Sequence, residues 1–354
     1  MESAKVNVRT YSAEEGPKHH DRHPLAKRRL IVLVSLSITL ILVSLFSLMA
    51  GAVSFSISEI WNGLFDSSDT LERRIVWDLR LPRVLIGVVV GMCLASAGAI
   101  LQGVMRNPLA DPGIIGVSSG AGLVAVIIMI IYPTYIALLP LAAFIGALVT
   151  ALIIYALSWR GGTSVVRIIL VGVAINAIIG SFMSALMLLY SDRVQAVLPW
   201  LAGGIGGVGW VQFKMIIYYV MIALILALFS IKHIRVLRLG DELAKLLGHH
   251  VERSRFFLIV MSTLLAGIAV SVSGLIGFVG LVVPHILRLI IGGDYRYLLP
   301  ASALGGGLLV VLADTIARSA FDPIELPVGI LLAFIGGPFF LYLIQRRRGP
   351  VAGH

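Results

Sequence analysis

The ionisable groups that fall in or beside the long apolar stretches of this 354-residue chain are few, and they bound the chemistry it performs. Asp314 stands near one end of an apolar run, while His285 and Arg288 stand near the end of another. A carboxylate in such a place is a candidate proton relay or coupling-ion site. Thr315 follows it and Arg318 lies one turn on, so an i,i+4 ion pair of structural purpose is the competing reading, and the spacing favours the pair. Gly172 and Asn176, a turn apart, have a similar double reading: they face a pore, or Asn176 makes a hydrogen bond between buried helices. His19, His20 and His23 lie in a polar N-terminal stretch and are read as part of a tail, ahead of a metal role. Cys93 is the one cysteine, which excludes a disulfide frame and a cysteine metal site. The chain carries no G-x-x-x-x-G-K-[ST], H-E-x-x-H or C-x-x-C motif, so neither ATP hydrolysis nor metal-assisted hydrolysis has residues to perform it. No nucleophile and base stand together either, so no catalytic residue and no metal ligand is assigned. Any energy comes from a partner or an ion gradient.

The elements that position these groups follow from composition. Hydrophobic residues make up 58% of the chain and charged ones 13%, against roughly 45–50% and about 25% in soluble domains. Charge-free runs at 30–53, 112–159 and 168–191 exceed the ~20 residues a membrane span needs, so the chain reads as polytopic. The formal charge of +10 suggests topology signals in cytoplasmic loops and no nucleic acid. A polar stretch, 1–29, precedes a first run of span length, so no cleavable signal peptide is expected. Ten runs emerge: 30–53, 84–104, 116–132, 135–157, 168–190, 215–231, 256–273, 275–291, 298–313 and 328–344. Residues 112–159 divide at Tyr132-Pro133-Thr134-Tyr135, because an undivided helix would reach about 72 Å. Residues 256–291 divide at Ser273-Gly274 by the same reasoning.

Charge decides the doubtful stretch 194–213, which is uncharged but rich in glycine after Pro199. With ten spans and a cytoplasmic N-terminus, 21 of the 28 Lys and Arg face inward. An eleventh span at 194–213 would leave 12 inside and 16 outside, against the positive-inside rule. The stretch therefore reads as a short outer helix and a re-entrant turn, tolerable only when packed on protein or lining a watery cavity. The expected fold class is an all-α polytopic membrane protein with ten transmembrane helices at 30–345. A basic, disordered cytoplasmic tail at 1–29 and a basic cytoplasmic tail at 346–354 flank it.

Two further groups concern partners. The longest inner loop, 232–255, contains Arg238-Leu239-Gly240-Asp241-Glu242-Leu243-Ala244-Lys245-Leu246-Leu247-Gly248, a short helix bounded by glycines with Leu243, Leu246 and Leu247 on one face. It either lies among lipid headgroups or contacts another protein. Arg80, Arg83 and Arg318 fall outside, where basic residues are scarce. They either snorkel at the interface or meet a partner. The 37 glycines have a plain explanation in close helix approach.

The order of several motifs carries a resemblance. Gln102-Gly103-Val104-Met105-Arg106-Asn107-Pro108-Leu109-Ala110-Asp111-Pro112-Gly113 and Gly116-Val117-Ser118-Ser119-Gly120-Ala121-Gly122 join one span to the next by a tight connection. With Asp78-Leu79-Arg80-Leu81-Pro82-Arg83, Gly172-Val173-Ala174-Ile175-Asn176, Pro199-Trp200-Leu201-Ala202-Gly203-Gly204, Gly277-Phe278-Val279-Gly280-Leu281-Val282-Val283-Pro284-His285-Ile286-Leu287-Arg288 and Glu325-Leu326-Pro327-Val328-Gly329, the chain resembles the FecCD family over roughly residues 30–345. These are permease subunits of binding-protein-dependent ABC importers for iron-siderophores, haem and vitamin B12.

The resemblance implies type II ABC importer permease architecture in a bacterial cytoplasmic membrane. It implies a path formed with a second permease, a copy or a paralogue, and an iron(III)-siderophore as cargo. ATP and Mg2+ would sit on two separate ATPase subunits, this chain being no enzyme and holding no cofactor. Leu239, Gly240, Glu242, Leu243, Ala244, Leu246, Leu247 and Gly248 would form the ATPase-coupling loop. Arg80, Arg83 and Arg318 would meet acidic residues on the two lobes of an extracytoplasmic binding protein. Gly172 and Asn176, with Thr163 and Ser164 at a cytoplasmic constriction, would line the path. The rival class is an ion-coupled secondary transporter acting alone through Asp314, and an inverted repeat between spans two to five and seven to ten would suit either.

Overall fold

In hydrocarbon a backbone N–H or C=O has no water to turn to, so a run of some twenty apolar residues satisfies itself as a helix. The computed structural model describes residues 23–346 except 52, 54, 67, 161 and 321–324. His19, His20, the tail residues before 23 and the tail after 346 lie outside the described residues. The helices are α1 (His23–Met49), α2 (Ile57–Phe65), α3 (Leu71–Arg73), α4 (Leu81–Val104), α5 (Val117–Ile131), α6 (Leu139–Leu157) and α7 (Val165–Leu189). They continue with α8 (Val194–Ala202), α9 (Trp210–Leu237), α10 (Asp241–Leu246), α11 (Val251–Ser273), α12 (Val279–Ile291), α13 (Tyr295–Ser319) and α14 (Val328–Arg346). Among the described residues no β-sheet forms; an isolated bridge joins Trp159 and Thr163.

Each of the ten apolar runs coincides with one of these helices. Seven helical stretches of the described residues are long and apolar enough to cross a membrane, and Val117–Ile131, Val279–Ile291 and Val328–Tyr342 are shorter apolar helices. Several boundaries differ from the sequence reading. α1 begins at His23, inside the stretch read as tail. α12 begins at Val279, four residues after 275, because Gly274 and Phe278 both take positive φ and break the chain before it. The 215–231 and 298–313 runs grow into α9 and α13 at both ends. Within 194–213 the chain forms a nine-residue helix, α8, then the glycine turn, and its last four residues already belong to α9.

The stretch before α4 is helical as well. Residues Arg74–Arg80 form a π-helix that runs straight into α4. Pro82 explains the change of pitch. Its ring crowds the carbonyl four residues earlier, and the wider turn, in which Leu81 N–H bonds the Val76 carbonyl, is the usual accommodation.

α4 is the buried axis, flanked by α9, α11, α12 and α13. Backbones touch where glycines face each other: a Cβ on Gly91 would lie 2.1 Å from the Gly306 carbonyl, and one on Gly98 1.9 Å from the Gly280 carbonyl. Pro284 within α12 also cannot bond the Gly280 carbonyl, and Gln102 Nε2 from α4 donates to it at 3.1 Å. α1 and α7 stand at the rim with most of their apolar side chains exposed.

Gly91→Ala should therefore force α4 and α13 apart and cost about 1–3 kcal/mol, lowering the thermal unfolding midpoint of the detergent-solubilised protein. Gly180→Ala, where a Cβ meets nothing within 4 Å, should leave the midpoint unchanged or raise it.

Candidate functional sites

The helices bring their ends together in two clusters. One contains α10. Gly240 and Gly248, at φ +108° and +77°, turn the chain into and out of it, and a Cβ on either would meet nothing within 4 Å. Their need for glycine is conformational. Ala244 is fully buried beneath the helix, while Leu239, Leu243, Leu246 and Leu247 point outward, Leu246 being 82% exposed. Glu242 is exposed beside them.

What holds α10 in place is an arginine that the sequence reading did not single out. Arg255 is 2% exposed. Its Nη2 donates to Asp241 Oδ2 at 2.8 Å, and its Nη1 donates to the Thr163 carbonyl at 2.7 Å and the Thr163 hydroxyl at 3.0 Å. The Thr163 hydroxyl donates to Glu252 Oε2 at 2.5 Å. Arg106, at the end of α4, adds a second guanidinium to Asp241. Burial raises the Asp241 carboxyl, and the hydrogen bonds and charges of Arg255 and Arg106 more than reverse that, holding it below the ordinary carboxylate range. Thr163 is thus buried in a polar knot, where a path-lining role had been expected. Ser164 is half-buried at the start of α7, and its side chain makes no capping bond.

Gly172 and Asn176 also turn inward. A Cβ on Gly172 would stand 2.1 Å from the Ile114 carbonyl, so this glycine permits contact between α7 and the connection before α5. Asn176 Nδ2 donates to the Gly113 carbonyl at 3.1 Å, and the Ser119 hydroxyl donates to Asn176 Oδ1 at 2.5 Å. Of the two readings of Asn176, the interhelical hydrogen bond is the one seen. It ties α7 to the Asn107–Gly122 motif.

The second cluster lies at the opposite end. Arg83 grips Asp314 with Nε at 3.0 Å and Nη2 at 2.9 Å, and its Nη1 reaches Glu325 at 2.9 Å. Asp314 is 2% exposed. The ion pair expected within α13, Asp314 with Arg318, is present at 3.8 Å, longer than the Arg83 pair. Arg318 also reaches Ser47, bonding its carbonyl and, at 2.9 Å, its hydroxyl. Arg80 donates to the carbonyls of Leu48 at 2.7 Å, Met49 at 3.2 Å and Val53, and lies over the Phe55 ring. Arg80 and Arg318 are 7% and 6% exposed. The three arginines read as partner-docking or snorkelling residues are therefore all engaged within the chain. Arg80 and Arg318 are drawn inward because the last carbonyls of α1 have no partner within their helix and mark the negative end of its dipole, while Arg83 is drawn to the Asp314 and Glu325 carboxylates.

Three of the sequence motifs meet beside this cluster. The Gly204 amide donates to the Ser273 carbonyl and the Gly329 amide to the Gly203 carbonyl, both at 2.8 Å. A Cβ on Gly274 would stand 2.1 Å from the Trp200 carbonyl, and one on Gly329 2.1 Å from the Ala202 carbonyl. The glycine turn after α8 is thus packed on the ends of α11 and α14. A cavity of about 410 Å³ opens here against Trp200, Asp314 and Glu325, and a second of about 580 Å³ against Asp78, Arg80, Trp210 and Arg318.

Arg83→Met should destabilise the protein by about 3 kcal/mol, since it leaves a buried carboxylate without its main partner. Asp314→Leu added to it should recover most of the loss, read as the thermal midpoint of the single and double variants.

The FecCD transport family model matches residues 39–346. The chain is 41% identical over 329 residues to the hemin transport system permease protein HmuU of Yersinia pestis, covering 91% of this chain and 98% of that relative. It is 38% identical over 320 residues to the Fe(3+)-citrate import system permease protein YfmE of Bacillus subtilis, covering 90% of this chain and 96% of that one. A solved structure, described as an inward-facing conformation of a metal-chelate type ABC transporter, superposes with a TM-score of 0.81 at 28% identity, covering 90% of this chain and 99% of that chain. With ten apolar helices, the motif order and a family match across most of its length, this chain belongs to the FecCD transport family of membrane permeases.

Proposed function

We propose that this chain is the permease subunit of an ATP-driven ABC importer for iron(III)-siderophore complexes. The observation that carries the reading is α10: Leu243 and Leu246 on this short helix, with Leu239 and Leu247 flanking it, project outward, and its buried side is pinned by Arg255 and Arg106. A rigidly held apolar patch beyond the ends of the spans fits the groove of a protein partner better than water. The ATPase subunit is that partner, and it supplies the ATP and Mg2+. The end carrying α10 is cytoplasmic, as are both termini, in agreement with the 21 basic residues assigned to that side. The membrane is the cytoplasmic membrane of a bacterium.

Several features support the remaining parts of the assembly. Lone exposed apolar side chains on α7, among them Leu170, Val173, Ile178 and Phe182, leave a face for lipid and for a second permease, copy or paralogue, with the path between the two. A binding protein docks at the opposite end, over Arg80, Arg83 and Arg318. Because those guanidiniums are recessed, acidic residues of the binding protein must compete with Glu325 for Arg83, so their effect falls on register and rate more than on affinity. The names of HmuU and YfmE, which point to haem and ferric citrate, support an iron chelate as cargo. The rival reading through Asp314 loses ground, because that carboxylate is already held by Arg83.

The ATPase contact is tested by Leu246→Asp with Leu247→Asp. Both side chains are exposed, so folding should be kept while co-purification with a co-expressed ATPase subunit drops about tenfold or more, the loss of ~1.4 kcal/mol of binding or more. Full retention of the ATPase with full uptake would remove α10 from the interface.

A further inference from the structure

The knot around Arg255 joins stretches of chain that are remote in sequence. From Arg255 it is 92 residues to Thr163 and 14 to Asp241, and from Arg106 it is 135 to Asp241. The covalent links of α10 to its neighbours run through Gly240 and Gly248, both in open space. Beside the packing of Ala244 and the exposed Arg106–Asp241 pair, its polar link to the α6–α7 connection runs through a buried guanidinium. A planar fork with two fixed directions sets both the distance and the angle between its acceptors. Removing either acceptor from a buried charge is costly, so the two segments cannot slide past each other by small steps.

We infer that Arg255 is a positioning residue that makes α10 and the connection between α6 and α7 a single rigid body. The inference rests on the reading of α10 as the ATPase contact and names the route out of it. A push on the leucines of α10 reaches Asp241, passes through Arg255 to Thr163, and arrives two residues before the start of α7. Glu252 completes the unit by holding both the amide and the hydroxyl of Thr163, at 3.2 and 2.5 Å. α7 is the helix that Asn176 ties to the Asn107–Gly122 motif, so motion of this body is handed directly to a membrane helix.

The test uses spin labels at Lys245→Cys and Arg160→Cys, two exposed positions on either side of the pin. The native Cys93 is fully buried. In the permease alone the interlabel distance should be narrowly distributed with Arg255 and broad with Arg255→Met. In the reconstituted complex it should stay constant between nucleotide-free and nucleotide-trapped states. There, Arg255→Met should hydrolyse ATP while uptake per ATP falls about tenfold, in the range of intramolecular couplings. Arg255→Lys, which keeps the charge and loses the fork, should restore part of it. Equal widths in the parent and Arg255→Met permease, or a parent distance that shifts with nucleotide, would overturn the pin. Because the permease-alone distances need no ATPase, they judge the pin even where the parent fails to bind one, a failure that would count against the α10 contact.

Discussion

A helix that ends in or near hydrocarbon leaves carbonyls that nothing around it can satisfy, and the protein must supply a donor for each. This chain answers repeatedly with arginine. Arg80 and Arg318 cover the end of α1, Arg193 donates to the Ile130 carbonyl at the end of α5 at 2.6 Å, and Arg29 donates to the Ile291 carbonyl at the end of α12 at 3.1 Å. The helix dipole favours a cation in each of these places. The same demand explains Gln102, which serves the carbonyl that Pro284 cannot bond. Helix ends closed by side chains from other helices are crosslinks, and they fix how the bundle is assembled.

That constraint sorts the functional residues. At the end opposite α10, the guanidiniums of Arg80, Arg83 and Arg318 are engaged in closing α1 and holding Asp314, so this end is a neutralised, recessed surface with Glu325 exposed beside Arg83. At the α10 end the arginines do the reverse. By engaging Asp241 and Thr163 from below, Arg255 and Arg106 leave the leucines as the outward feature. An exposed apolar patch on a rigid base and a recessed polar patch at the far end are the asymmetry expected of a subunit that receives force at one end and cargo at the other.

Much of the fold was legible in the sequence, because hydropathy over twenty residues is a large signal and the glycine and proline breaks are local. The stretch 194–213 was set apart from the spans by charge, and it contains the short helix α8. Less legible were features in which a local rule met a distant partner. Asp314 and Arg318 obey the i,i+4 rule, yet Asp314 chooses Arg83, 231 residues away. Gly172, read either as facing a pore or as packing, leaves the space that the Ile114 carbonyl occupies. Pro82 sits where the π-helix Arg74–Arg80 runs into α4, its disturbance absorbed by the wider turn. Arg255 carried the weak signal of Glu252 three residues earlier, but only the fold brings Thr163 to it.

The central claim is that ATP, hydrolysed by a partner held on α10, drives transport through this chain. Its most direct test is uptake of a radiolabelled iron(III)-siderophore into proteoliposomes, with ATP and an imposed proton gradient supplied separately. The account predicts uptake only when the ATPase subunit, the binding protein and ATP are all present, with no response to the gradient. Uptake by this chain alone, driven by the gradient and abolished by Asp314→Asn, would contradict it.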